Sequence, residues 1–241
     1  MPLLNPEIYP PAGDAVAISS TLATDPLADA ARYAVLNRMA AVLRHDVAGS
    51  MQPVLMVLLV LDRRLQFTDP DLAAIAKSVK SLDALTKQAV ANCMNALGWT
   101  GSEEDLRISL RGSVDEAVKL LAMELSASAL VLVNGVADDS ATAPQSFLRS
   151  VFMSALLAFC DQHVGGGTLE VTFQKELANS QPAGQLQLRL LPSDVGRSAE
   201  FLAVVRKRRL IGWHDVQALA ASCGVRMARG DGWLTLDLPN P

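Results

Sequence analysis

The strongest constraint on this chain is an apolar stripe, Leu36, Ala40, Leu43, Val47, Met51, Val54, Leu58, Leu61 and Leu65, advancing in steps of three and four. An α-helix brings such a set to one face. Asp25-Pro26 marks its start, because proline suits the first turn, and the period predicts a helix over 26–65. Between Val54 and Leu61 the residues are apolar on nearly all sides. A surface helix leaves one face to water, so this one needs cover from several directions. Pro53 removes one backbone bond and presses on the carbonyl of Gly49. The period continues past it, which predicts a kink rather than an end.

A second helical pattern follows: Leu72, Ile75, Val79, Leu82, Leu85, Ala89, Cys93 and Ala96. Asp69 is placed as its N-cap, Pro70 as its first residue and Gly98 as its stop. Two such helices with a short turn make an antiparallel hairpin. One hairpin cannot cover the first helix, so a second copy is expected to complete a four-helix bundle in a homodimer.

After Gly101 the texture changes. Leu106, Ile108 and Leu110 alternate as in a strand, and Ser113-Val114-Asp115-Glu116 reads as a capping box opening a helix to about Ser126. A short strand covers Ala129 to Val133, and Pro144 opens a helix to about Cys160. Gly165 to Gly167 reads as a hairpin turn rather than a phosphate loop, since a strand follows. In that strand Leu169, Val171 and Phe173 are matched to Leu186, Leu188 and Leu190. A helix or helix pair over about 198 to 222 and a terminal hairpin (Val225 to Met227, Trp233 to Leu238) complete an α+β sandwich, one mixed sheet with helices on one face. The expected organisation is a flexible arm (1–25), a helical hairpin (26–98) and an α+β domain (105–241).

The net charge of −4 argues against a dedicated nucleic-acid binder. Cys93, Cys160 and Cys223 are too far apart for a zinc motif or a disulfide framework, and read as small hydrophobes in a reducing compartment. The longest apolar run, Pro53 to Leu61, is too short to span a bilayer, and no signal peptide opens the chain. A cytoplasmic protein with no membrane partner is expected. Neither Gly-x-Ser-x-Gly nor His-Glu-x-x-His occurs, so a hydrolase has no support.

His45 lies roughly 200° round the helix from Leu43 and roughly 160° from Val47. An imidazole there faces solvent, with a carboxylate, Asp46, next to it. A neutral imidazole could attack a phosphoryl group; Asp46 could orient the ring or accept its proton, and Arg44 could offset phosphate charge. Each of the two could equally be a solvated charge. Arg206 to Arg209 reads as a solvated helix face, and His163 and His214 as structural residues.

An exposed His-Asp on the first helix of a hairpin, followed by an α+β domain, resembles the bacterial histidine-kinase architecture. The resemblance runs from about Pro26 to Pro239. Its most specific piece is Leu43-Arg44-His45-Asp46, similar to the H-box, with Gly49 where phosphatase-competent members carry a polar side chain and proline delayed to Pro53. Leu148 to Ala158 is similar to the N-box helix, but Ser154 and Ala158 stand where the family uses asparagines to hold magnesium. The adenine-recognising segment is reduced to Leu191 through Gly196, and Phe201 to Arg209 replaces the glycine-rich lid. The combination looks like a dimeric histidine phosphotransferase. It implies phosphoryl transfer through His45, Asp46 and Arg44, response regulator receiver domains as partners, no cofactor, no metal and no autokinase activity. A non-catalytic pseudokinase-like dimer that sequesters a regulator or kinase, and a divergent active kinase, stay open.

Overall fold

The computed structural model describes residues 25–99, 106–137, 141–163, 165–178, 181–193 and 209–238. The expected N-terminal arm up to residue 24, the remnant Asp194–Gly196 and the stretch 201–208 lie outside them.

Helix α1 spans Pro26–Leu65. The Asp25 carboxylate accepts the Leu27 amide at 2.9 Å, which caps it, and the helix continues through Pro53. Helix α2 spans Leu72–Gly98. Its cap is Asp71, which accepts from Ala73 and Ala74 at 2.9 and 3.0 Å, and not Asp69. Pro70 therefore precedes the helix instead of opening it. Arg64 closes the hairpin by donating to the Ala74 carbonyl and the Ser78 hydroxyl.

Strand β1 (Arg107–Ser109) pairs antiparallel with β3 (Thr142–Pro144). The next helix, α3 (Leu110–Leu120), begins earlier than the Ser113 capping box implied, because the Ser109 hydroxyl accepts the Gly112 amide at 3.1 Å. Helix α4 (Ala122–Ala127) leads into β2 (Leu130–Asn134). The segment expected to be one helix from Pro144 is α5 (Gln145–Phe147), a π-helical turn (Leu148–Phe152) and α6 (Met153–Gln162). Strands β4 (Gly166–Ala178) and β5 (Gln181–Ser193) form the long hairpin, with Leu169, Val171 and Phe173 opposite Leu190, Leu188 and Leu186. Helix α7 (Trp213–Ser222), β6 (Met227–Gly230) and β7 (Trp233–Asp237) follow.

The main sheet runs β2-β4-β5-β7-β6, with β2 and β4 parallel and the other neighbours antiparallel. Leu130 and Leu132 are buried while Val131 and Val133 are exposed, so one face carries the helices and the other is open. Gly166 and Gly167 begin β4 and are not a turn. A Cβ on Gly167 would come within 2.5 Å of the Leu191 carbonyl, so the strands approach too closely there for a side chain.

The first third of α1 belongs to this core. Ala28, Ala31, Val35, Met39 and Leu43 are buried, a stripe turned from the expected Leu36–Ala40 line, and it packs against α6 and α7. Arg38 is buried on the same face. It donates to Asp161 on α6 and to Glu124 on α4, the latter at 2.9 Å. Burial alone would lower its pKa, but the two carboxylates outweigh that and hold the guanidinium charged. Asp161 also accepts the Ile211 amide at 2.8 Å. Arg209 is not a free solvated charge: it pairs with Asp215 and donates to the Ala30 carbonyl. Two phases of one helix thus serve two tasks, with the distal part left for the hairpin.

Candidate functional site

Beyond Leu43, α1 leaves the core. The His45 side chain is 88% exposed and that of Asp46 55%. Nδ1 of His45 stands 3.6 Å from Oδ1 of Asp46, beyond a good hydrogen bond but within reach of one small rotation. A carboxylate on that side favours the Nδ1–H tautomer, which leaves the Nε2 lone pair available for attack.

Both residues line a hollow of about 380 Å3 together with Gly49, Ser50 and Pro53 of α1 and Leu85, Gln88 and Asn92 of α2. Gly49 and Pro53 keep its α1 wall low. A Cβ on Gly49 would meet nothing within 4 Å, so no packing inside the chain demands glycine there. Across the hollow, Gln88 Nε2 donates to Asn92 Oδ1 at 3.1 Å. Arg44 is exposed but its Nε donates to the Ala40 carbonyl at 3.2 Å, which directs it back along the helix. The structure therefore brings Asp46 to His45 and leaves Arg44 outside the hollow.

Sequence reading missed Ser50, Leu85, Gln88 and Asn92. The signal was the run 85, 88, 92 on α2, which shares a face at helical spacing. It was hidden because Leu85 also falls in the apolar period of α2. Of the other histidines, His214 is exposed and His163 half-buried, and neither joins this site.

On the helix that the sequence likens to the N-box, two positions were expected to lack metal-ligating asparagines. Ser154 is buried and donates its hydroxyl to the Val151 carbonyl at 2.8 Å; Ala158 is buried with no ligand atom. Among the described residues no group of three or more His, Cys, Asp or Glu is arranged to hold a metal ion. Nor is any described helix long and apolar enough to cross a membrane.

No protein-family model matches the chain, and no curated protein matches it. Among solved structures it is similar to the Acinetobacter baumannii histidine kinase AdeS, with 14% identity, 76% of this chain and 94% of that one covered, and a TM-score of 0.42. It is similar to a bacterial phosphotransferase, with 14% identity, 85% and 95% covered, and a TM-score of 0.33. The mycobacterial sensor histidine kinase MprB gives 12% identity, 57% and 98% covered, and a TM-score of 0.38.

Proposed function

We propose that this chain is a histidine phosphotransfer protein of a two-component phosphorelay, carrying a phosphoryl group on His45 between response regulators. The observation that carries the reading is His45 itself: open to solvent, next to Asp46, at the mouth of a hollow between the hairpin helices. An aspartyl phosphate on a receiver domain is the donor class that suits it. Nε2 attacks phosphorus in line, the P–N bond forms, and the P–O bond breaks as the carboxylate leaves. The Nδ1 proton passes to Asp46 or to water. Reversal onto a second receiver sends the group on. The α+β domain would then act as a scaffold and docking surface, since Ser154 and Ala158 cannot hold a nucleotide's magnesium.

A homodimer belongs to this reading. Met51, Leu55, Met56, Leu58, Leu59 and Val60 on α1 and Val79, Val90, Met94 and Leu97 on α2 are exposed, more apolar surface than a lone hairpin would leave to water. A second copy would bury it across a two-fold axis.

The test is incubation with phosphorylated response regulators from the same cell. An acid-labile phosphate on the wild-type chain, absent from His45→Gln at unchanged stability, is the expected result. Phosphate that persists in His45→Gln, or a wild-type chain that never acquires one, would sink the assignment.

A further inference from the structure

We infer that the Gln88–Asn92 pair on α2 is the wall that holds the phosphoryl group, with Asn92 Nδ2 donating to the phosphoryl oxygens of phospho-His45. The inference rests on the reading of His45 as the phosphoacceptor.

The hydrogen bond from Gln88 Nε2 uses the Asn92 carbonyl oxygen. It turns the amide so that Nδ2, with two N–H donors, is the end left over, and among the described residues that end has no partner. Elsewhere on a helix such a pair, four residues apart, would be a minor surface contact. Here both residues wall the same hollow as His45. The other lining groups offer little. The Ser50 hydroxyl already donates to the Val47 carbonyl at 2.8 Å. Gly49, Pro53 and Leu85 supply no side-chain donor, and Asp46 is an anion. No lysine or arginine is among the described lining residues. A dianionic phosphoryl group entering the hollow would therefore meet the carboxamides of Asn92 and Gln88 and no fixed cation.

That balance suits a carrier. Neutral donors position the group and offset part of its charge, yet they stabilise it less than a guanidinium would. The P–N bond keeps its capacity to give the group away, and the remaining charge is left for the partner to neutralise.

The probe is phosphoramidate, which phosphorylates histidine with loss of ammonia and needs no partner protein. Applied to the full chain, it should move the Asn92 side-chain NH2 resonances in a nitrogen–proton NMR spectrum, and should not move them in His45→Gln. The initial rate of labelling at His45 should fall about tenfold in Asn92→Ala, the effect of losing one hydrogen bond to a charged group, and further in Asn92→Asp, which adds repulsion. Both substitutions lie on the half-buried surface of α2. If one does not fold, the resonance shift in the wild-type chain decides. Asn92→Asp labelled at the wild-type rate, or NH2 resonances that stay still, overturns this inference alone. A wild-type chain that is not labelled at His45 overturns the phosphocarrier reading and this inference with it.

Discussion

Removing the buried Arg38 side chain, as in Arg38→Met, should destabilise the protein more than replacing any exposed charged residue of α1. The Arg38 side chain is 5% exposed, Asp161 0% and Glu124 13%. Methionine fills the space but takes away the guanidinium that both buried carboxylates pair with. Breaking a buried ion pair from one side costs about 3–5 kcal/mol. In a chain of this size each kcal/mol moves Tm by about 2–4 °C, so the midpoint should fall by about 6–20 °C. Thermal unfolding followed by far-ultraviolet circular dichroism reads this directly. The cause can be separated from lost packing by neutralising the carboxylates as well. Arg38→Met with Glu124→Gln and Asp161→Asn keeps an oxygen for the Ile211 amide and should recover most of the loss. A Tm within about 2 °C of wild type for Arg38→Met would refute the reasoning, since loss of the guanidinium would have cost the two carboxylates little. A triple variant no better than the single one would place the cost elsewhere.

Sedimentation at micromolar concentration should show a dimer, and replacing Leu55 and Leu59 with glutamate should give a folded monomer; a monomeric wild-type chain contradicts the bundle. Calorimetry with ATP and magnesium should show no saturable binding in the micromolar range, and a clear isotherm would restore an active-kinase reading. Burial pushes the Cys160 thiol up from 9.0 to about 12, so iodoacetamide at pH 8 should modify Cys93 and Cys223 in the native chain and spare Cys160. The same shift makes stability fall as pH rises from about 9 towards 12, because over that range only the unfolded thiol ionises.

The hairpin was legible because its signals are local. Asp25-Pro26 and the steps of three and four define α1 from sequence to within a residue of Pro26–Leu65. The pairing of the strand carrying Leu169, Val171 and Phe173 with that carrying Leu186, Leu188 and Leu190 was equally readable, since matching alternation turns both sets to one face. Errors arose where several side chains could serve as a cap. Asp69 and Asp71 compete for α2, Ser109 and Ser113 for α3, and the tertiary fold chose in each case. The π-helical turn at Leu148–Phe152 has no periodic signature short enough to detect. Arg38 looked like an ordinary charged residue on α1, because its partners lie 86 and 123 positions away. For the candidate site, the exposure of His45 followed from helix phase, and Asp46 from its place beside it in the sequence. Asn92 did not, because its meaning depends on which face of α2 turns towards α1.

Helix α1 is about 60 Å of continuous backbone at 1.5 Å per residue, and its two ends answer to different parts of the molecule. Ala28, Ala31, Val35 and Met39 fill a groove whose walls, α6 and α7, emerge from the ribosome more than a hundred residues after them. The α+β layer therefore closes its core only by reaching back to α1. A gene fragment that began after the hairpin would carry that groove empty, and a foreign α+β layer grafted behind the hairpin would have to reproduce it. The same covalent rod that presents the histidine is a structural stave of the layer behind it, so neither half is free to be exchanged without the other.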